Sequence, residues 1–265
     1  MNPDGLVPRR RAGSIVMASS PIPFVRPTAG RSNRLLAMLP PPDYALLAPS
    51  LREVPLEQGT ILYDVGDIIE RVYFPHGGMI SLLVVLRSGE TIDTATVGRE
   101  GMIGATAGLG SRFAVGRAVV QLPGTASEVS FSRFHAAVAR SGFLRDMILR
   151  YNELLIAQIQ QSVACNALHD VEARLCRWLL TTSDRVDSDT IPFTQDFLAQ
   201  MLGVRRTTVT MVARMLQSAG IIQYRRRLIQ IVDRKGLEAT ACECYGTIRQ
   251  QMDQILPPKS GFEGN

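Results

Sequence analysis

The chain has 265 residues, of which 46% are apolar and 20% charged, so it is long enough and apolar enough to fold as two ordinary domains. The longest nearly apolar run, 79–86, is too short to span a bilayer, and residues 1–30 show no secretory signal, so we expect a cytoplasmic protein without a membrane partner. The four cysteines lack C-x-x-C spacing and the three histidines stand far apart. We therefore expect no disulfide framework and no metal site.

The net charge of +5 is unevenly distributed. Residues 194–237 hold eight Arg or Lys against two Asp, and residues 1–30 hold four Arg against one Asp. A basic block inside a folded segment is typical of a protein that binds a polyanion. A solvated positive face is the alternative that charge alone leaves open.

The first half of the chain predicts a β-roll. Residues 1–31 are rich in Pro, Gly and Ser, and we expect a disordered basic arm there. Helical spacing follows at 32–39 and 44–51, and twelve of the 22 glycines lie between Gly59 and Gly124. Short β-type runs alternate with these turns, which predicts an antiparallel β-roll over residues 32–140. The predicted strands are 72–74, 79–86, 91–97, 114–122 and 128–131.

A long helix is predicted next, over 143–168 within a segment 141–169. Its apolar residues recur at intervals of three and four, which resembles the stripe of a coiled coil and favours pairing with a second copy of the chain. The alternative is that the stripe packs on the β-roll of its own chain. The residues of the predicted dimerisation stripe are Leu144, Ile148, Tyr151, Leu155 and Ile159.

Residues 170–255 predict a winged helix-turn-helix domain, followed by a flexible tail at 256–265. The predicted elements are, in order, a helix at 171–183 with Trp178 in its core, a short helix capped by Thr194, a turn at Gly203, a helix from Arg205 to Ser218, and two β-type runs at 221–224 and 228–232. The whole chain is thus expected to be of the α+β class, with the roll and this domain joined by the long helix.

The helix that begins near Arg205 has a polar face that suits the major groove of DNA. Arginine can bond a guanine edge in bidentate fashion, threonine offers a hydroxyl and a methyl group, and the Arg-rich hairpin can follow the phosphates. The predicted DNA-binding residues are Gln195, Arg205, Arg206, Thr207, Thr208, Thr210, Met211, Arg214, Arg225, Arg226 and Arg227. A structural helical hairpin or a protein-binding winged helix is the alternative.

Over about residues 35–234 the chain resembles the Crp–Fnr family of bacterial transcription regulators. The resemblance lies in the Gly-punctuated roll, the segment Gly101-Met102-Ile103-Gly104, the long helix and residues 198–220. It implies a cyclic-nucleotide-type β-roll, a homodimer on a palindromic double-stranded DNA operator, and RNA polymerase as a further partner. The family's base-reading positions fall on Arg206, Thr207, Thr210 and Met211. Thr207 and Met211 depart from the usual Glu and Arg, and Arg205 replaces a common Ser or Thr cap.

The same resemblance places an effector pocket in the roll and on the long helix. Its positions are Gly104, Ala105, Thr106, Arg117, Ala118, Ile159 and Gln160. Arg117 matches the family's phosphate-pairing arginine, but Ala105 and Ala118 replace the Glu and Ser that bind cyclic AMP. Each lost hydrogen bond costs about 1 kcal/mol, so we expect no tight binding of cyclic AMP, and either another ligand or none. Arg117 is then a salt-bridged roll residue.

The cysteines of this chain do not suit the iron–sulfur branch of the family, because no Cys precedes Cys165. Cys242 and Cys244 are interpreted as packing residues first and as redox-sensitive thiols second. The main hypothesis is therefore a dimeric transcription regulator and not an enzyme. The competing hypotheses are a cupin-type metal enzyme, disfavoured by the scattered histidines, and a nucleotide- or metabolite-binding signalling module that acts through a protein partner.

Overall fold

A computed structural model describes residues 33–225 and 227–256. The predicted arm at 1–31, the tail beyond residue 256 and Arg226 lie outside these residues. The described elements form a β-roll, a long helix and a winged helix domain in that order, as the sequence predicts. None of the described helices is both long enough and apolar enough to cross a membrane.

Seven strands lie in the glycine-rich first half of the described chain and most helices lie after residue 130, as the glycine pattern and the helical spacing predict. The helices are α1 (Arg34–Met38), α2 (Pro41–Leu47), α3 (Phe131–Arg140), α4 (Gly142–Leu168), α5 (Val171–Val186), α6 (Gln195–Leu202), α7 (Arg206–Ser218), α8 (Arg234–Thr240) and α9 (Cys244–Ile255). The strands are β1 (Arg52–Leu56), β2 (Ile61–Tyr63), β3 (Arg71–Pro75), β4 (Met79–Val85), β5 (Thr91–Val97), β6 (Arg117–Leu122), β7 (Gly124–Ser130), β8 (Thr190–Ile191), β9 (Ile222–Arg225) and β10 (Leu228–Ile231). Short 3-10 helices occupy Ala48–Ser50 and Ala105–Gly108.

Two antiparallel sheets build the roll, in the orders β1-β7-β3 and β2-β6-β4-β5. Strand β5 matches its predicted bounds, whereas β1 and β2 were not predicted. The strand expected at 128–131 is wrong at its end, because Ser130 is the last strand residue and Phe131 begins α3. Helix α3 buries Phe134, Ala137 and Val138 on one side, a helical spacing that strand reasoning overlooked.

Helix α4 lies against the roll of its own chain. The predicted dimerisation stripe packs mainly into this protomer: Leu144, Ile148 and Tyr151 are buried in its core, and Leu155 packs beside them, whereas Ile159 is half-buried. The burial corrects the expectation for these first four residues, because they are covered before any second copy arrives. The apolar stripe that the sequence analysis identified on α4 therefore packs against the β-roll of the same chain.

The winged helix domain packs on the outer face of the four-stranded sheet. Met79 and Leu83 of β4 belong to the same buried cluster as Trp178 of α5 and Phe193. The Trp178 and Phe193 rings meet edge to face with centroids 4.9 Å apart. Trp178 is thus a core residue, as predicted, and the core that it occupies joins the two domains.

A buried ion pair lies at this junction. The Arg185 guanidinium on α5 donates to the Glu100 carboxylate of the roll at 2.7 Å, and it also bonds Thr96. Both charged side chains are largely buried, so removing either partner would leave an uncompensated charge in the interface. Although burial opposes it, Arg185 lowers the pKa of Glu100.

Asp93 on β5 lies at the same junction, and only one of its two carboxylate oxygens has a hydrogen-bond partner among the described residues. It lines a cavity of about 40 Å³ between the sheet, α4 and the winged helix domain. Ser81 donates to one carboxylate oxygen at 3.2 Å, and the other oxygen has no hydrogen-bond partner among the described residues. Burial raises the pKa of Asp93 to about 7, with Ser81, Arg185 and Arg177 opposing it.

The raised pKa of Asp93 implies that the stability of the fold depends on pH. The folded state holds this proton between about pH 4 and pH 7 while the unfolded chain, with the ordinary value of 3.8, releases it. The free energy of unfolding therefore decreases as pH rises through this window. We expect Asp93→Asn to remove that loss and to raise the free energy of unfolding at pH 8 by about 1–3 kcal/mol. Urea unfolding of both proteins at pH 5 and pH 8 measures this, and an equal difference at the two pH values would contradict it.

Candidate nucleic-acid interface

Helices α6 and α7 form a helix-turn-helix whose turn is set by local capping. The Thr194 hydroxyl accepts a hydrogen bond from the Phe197 amide at 3.2 Å and so starts α6. Gly203 ends α6 with a left-handed backbone (φ 63°), which a residue without a Cβ adopts at little cost. Both features agree with the sequence prediction, and they place the start of α7 directly after the turn.

Helix α7 separates an apolar face from a polar one. Val209, Val212, Ala213 and Leu216 are buried in the domain core. The opposite side faces solvent with residues that can bond DNA: Arg206, Thr207, Met211 and Arg214 are exposed, and Thr208 and Thr210 are half-buried. The polar face of α7 is therefore not packed against its own chain, and a groove of duplex DNA could reach it.

In the first turn of α7, the Thr208 amide donates to the Arg205 carbonyl oxygen at 3.0 Å. Arg205 occupies the N-cap position, and its side chain makes no capping hydrogen bond, as expected from the sequence. Arg206 lies 3.4 Å from the carboxylate of Asp196, but both side chains are more than 60% exposed. Such an exposed pair is weak, so a DNA base or phosphate can displace the carboxylate.

Gln195 and Thr210 are coupled across the two helices. The Thr210 hydroxyl donates to Gln195 Oε1 at 2.7 Å and lies 3.0 Å from the Arg206 carbonyl oxygen. Because the amide oxygen of Gln195 is engaged, its amide nitrogen is the group left to donate to a phosphate. Sequence reasoning assigned these two residues to DNA separately, and the structure shows that each orients the other.

The wing follows α7 as a two-stranded hairpin in which Leu228 pairs with Arg225. The Tyr224 amide donates to Gln217 Oε1 at 3.0 Å, which ties the hairpin to the last turn of α7. Arg225 and Arg227 are exposed near the tip, and Arg226 lies outside the described residues. Gln217 was missed by the sequence analysis, because a polar residue on an exposed helix end carries no pattern.

Some basic residues of the winged helix domain are paired with acidic side chains, and others are not. Arg234 is paired with Asp184 at 2.6 Å and with Glu238 at 3.1 Å, so it is part of the fold. By contrast, no acidic side chain in the described ranges pairs with Arg205, Arg214 or Arg225. The unpaired charges thus collect on the side of the domain formed by α7 and the wing.

The outer face of α4 carries a second apolar stripe, which the sequence analysis did not select. Leu149, Ile156 and Val163 recur every seven residues and are 46%, 55% and 65% exposed. Ile159 lies on the flank of this stripe and is half-buried. A coiled-coil seam has two apolar positions in each heptad; Leu149, Ile156 and Val163 supply one of them, and Ile159 supplies the other in the middle heptad.

Three of the predicted effector positions are engaged or buried within the chain. Arg117 donates to both carboxylate oxygens of Asp64, at 3.0 and 2.7 Å, so the expected phosphate partner already holds an anion. The side-chain hydrogen bond from Arg117 lowers the pKa of Asp64. Ala105 and Ala118 are buried in different core clusters, where they offer only methyl groups.

The remaining effector positions are spread between the turn and the helix. Gly104 is buried in a left-handed conformation (φ 85°) that begins the short 3-10 helix, and Thr106 is exposed. On α4, Ile159 is half-buried and Gln160 is exposed. Among the described residues, Arg117 forms its side-chain hydrogen bonds with Asp64 and not with any of these four.

Comparison with known proteins agrees with this geometry. Residues 173–240 match the model of the Crp-like helix-turn-helix domain. A transcriptional regulator of the Crp/Fnr family from Eubacterium rectale aligns with a TM-score of 0.61 at 16% identity, over 80% of this chain and 99% of that one. FixK2 from Bradyrhizobium japonicum aligns with a TM-score of 0.63 at 15% identity, over 72% and 98%. A search of curated proteins finds no match.

These findings define the class. The described chain has the fold of Crp/Fnr-type regulators, and residues 173–240 form a Crp-like helix-turn-helix domain. The resemblance that the sequence motifs indicated is therefore confirmed.

Proposed function

We propose that the protein is a dimeric, sequence-specific, DNA-binding transcription regulator. The observation that carries the proposal is the solvent-facing polar side of α7, which lies beside a basic wing in a Crp-like helix-turn-helix domain. Arg206 and Thr207 occupy the first turn, where side chains of a recognition helix reach base edges. Gln195, Arg225 and Arg227 contact phosphates and set the register of the domain on the duplex.

A dimer follows from the outer face of α4. Pairing of two α4 helices through Leu149, Ile156 and Val163 would cover apolar surface that one chain leaves in solvent. A two-fold axis along this seam would place two copies of α7 about 34 Å apart, one turn of DNA, on a palindromic site. RNA polymerase is a further partner that the resemblance to the family implies.

Cyclic AMP is not the effector in this proposal. Arg117 is paired with Asp64, and the buried Ala105 and Ala118 offer no polar side chain to a cyclic phosphate. A regulator of this fold from Xanthomonas campestris is described as responsive to cyclic di-GMP, so the fold is not restricted to one nucleotide. Whatever its effector, the protein acts by binding DNA and not as an enzyme.

Arg206 is expected to discriminate between base pairs. Replacing it with Ala should reduce the preference for the selected operator over a mutated one by about 1–3 kcal/mol, because one bidentate base contact is lost. Binding is measured by mobility shift with fragments selected from genomic DNA. The matched control is Arg225→Ala, which should weaken both fragments equally and lessen the salt dependence. If Arg206→Ala also weakens both fragments equally, Arg206 contacts phosphate instead.

The seam on α4 is expected to hold the dimer. Ile156→Glu would bury a carboxylate in the centre of the seam, so the protein should become monomeric at micromolar concentration and lose affinity for a palindromic site. Sedimentation equilibrium measures the mass. Val115→Glu places the same charge on an exposed apolar position of the roll and should leave the dimer intact. A dimer that persists in Ile156→Glu would refute the seam.

Calorimetry tests the exclusion of cyclic AMP. The wild-type protein should show no binding at micromolar nucleotide, since several hydrogen bonds of about 1 kcal/mol each are absent. Asp64→Asn releases Arg117 from its partner and should still show none, because Ala105 and Ala118 supply no polar group. A micromolar isotherm for the wild type would contradict this part of the proposal.

A further inference from the structure

Four potential metal ligands meet at the junction of α4 with the last part of the chain. Cys165 and His169 come from the end of α4, Cys242 lies between α8 and α9, and Cys244 is the first residue of α9. Their sulfur and ring nitrogen atoms all lie within 4.8 Å of one another. The chain thus gathers three thiols and one imidazole from positions that are about 75 residues apart in sequence.

We propose that this cluster is a zinc site with three cysteines and one histidine as ligands. A tetrahedral zinc with Zn–S bonds of about 2.3 Å and a Zn–N bond of about 2.0 Å needs roughly 3.8 Å between sulfurs and roughly 3.5 Å between sulfur and nitrogen. The Cys165 and Cys242 sulfurs are 3.5 Å apart, and Cys244 Sγ lies 3.5 Å from His169 Nδ1. These distances let one small, soft divalent cation contact all four groups after small side-chain movements.

Neighbouring polar groups are placed as they are around metal ligands. His169 Nε2 lies 3.2 Å from the carboxylate of Glu243, to which it can donate while Nδ1 faces Cys244 Sγ. The amide of Gln161 donates to Cys244 Sγ at 2.9 Å. A donor of this kind stabilises a thiolate, which is the form of cysteine that binds zinc. Simple apolar packing of the cysteines would not require the polar side chains of Glu243 and Gln161 beside them.

Burial favours a structural zinc site over a catalytic one. Cys165 and Cys244 are fully buried and Cys242 is 7% exposed, while His169 closes the solvent side. Four protein ligands fill a tetrahedral zinc and leave no position for a substrate. A single disulfide explains the arrangement less well, because it would use two of the thiols and give no role to the third thiol or to the imidazole.

The sequence analysis missed this cluster because it searched for C-x-x-C pairs and neighbouring histidines. Cys165 and His169 are four residues apart, so the last helical turn brings them to one side. Cys242 and Cys244 are separated by one residue where the short link meets the start of α9. Only the packing of α9 along α4 brings the two pairs together, and no local pattern encodes that packing.

Zinc at this position would act on the joint between the two domains. His169 is the last residue before Asp170, which caps α5 and starts the winged helix domain. A zinc ion held by the end of α4 and the start of α9 would hold this joint in one arrangement. The DNA-contacting face of α7 is not part of the site, so zinc binding can be tested separately from DNA binding.

Metal analysis of the full-length protein, purified under reducing conditions, tests the proposal directly. We expect about one zinc per chain, and after chelation we expect a lower melting temperature that zinc restores and magnesium does not. Substituted cobalt should give the visible absorption of a tetrahedral thiolate site. Cys242→Ser and Cys165→Ser should lose stoichiometric zinc, and Glu243→Gln should weaken zinc binding roughly tenfold to a hundredfold.

Cys176→Ser is the matched control, since Cys176 is buried in α5 and lies outside the cluster. It should keep the full zinc content. Zinc binding that is lost equally in Cys176→Ser, or wild-type protein that takes up no zinc at micromolar concentration, would overturn the proposal. Isolation of a Cys165–Cys242 disulfide under the same reducing conditions would also overturn it. If the cysteine variants are unstable, chelation and the cobalt spectrum of the wild type still decide the outcome.

Discussion

The packing of the winged helix domain on the outer face of the four-stranded sheet determines how the rest of the molecule is arranged. Apolar residues of β4 and α5 share one core, and the Arg185–Glu100 ion pair lies at its edge. Because this core is continuous, the domain is held against the roll by buried surface and not by the linking residues alone. The apolar face of α7 is buried in the core of the domain, so its polar face is exposed to solvent.

This arrangement also shows which contacts a signal would have to change. Gln200 on α6 donates to Thr91 on β5, and Arg99 of the roll pairs with Asp187 just after α5. These polar contacts are exposed and weak compared with the shared core. To move α7 relative to the roll, the whole winged helix domain would have to slide over the four-stranded sheet. His169 and Asp170, between α4 and α5, would then be the hinge.

The sequence predicted the architecture because each element has its own local signal. Gly203 with a left-handed backbone, the Thr194 cap and the amphipathic α7 are all set by nearby residues, and the structure has them where they were expected. The faces of α4 could not be assigned, because this helix is apolar on two sides. Periodicity alone does not tell whether Ile148 or Ile156 meets the roll.

The parts of the candidate sites that depend on tertiary contacts were beyond the sequence. The Arg117–Asp64 pair joins positions 53 residues apart, and the hydrogen bond from Thr210 to Gln195 depends on the angle between α6 and α7. The solvent-facing residues of α7 were predictable because they follow from the helical spacing of its apolar face. The cysteine cluster has no such local signature, since its members come from two separate segments.

The end of α9 has a consequence for how the molecule is made. Leu256 is buried in the same cluster as Leu35 and Leu36, and its carbonyl oxygen accepts a hydrogen bond from Arg34 at 2.6 Å. The first core that the ribosome releases is therefore completed by a segment translated more than two hundred residues later. Until then, this core lacks Leu256 and its hydrogen bond to Arg34, so its native packing is complete only after the winged helix domain has been synthesised.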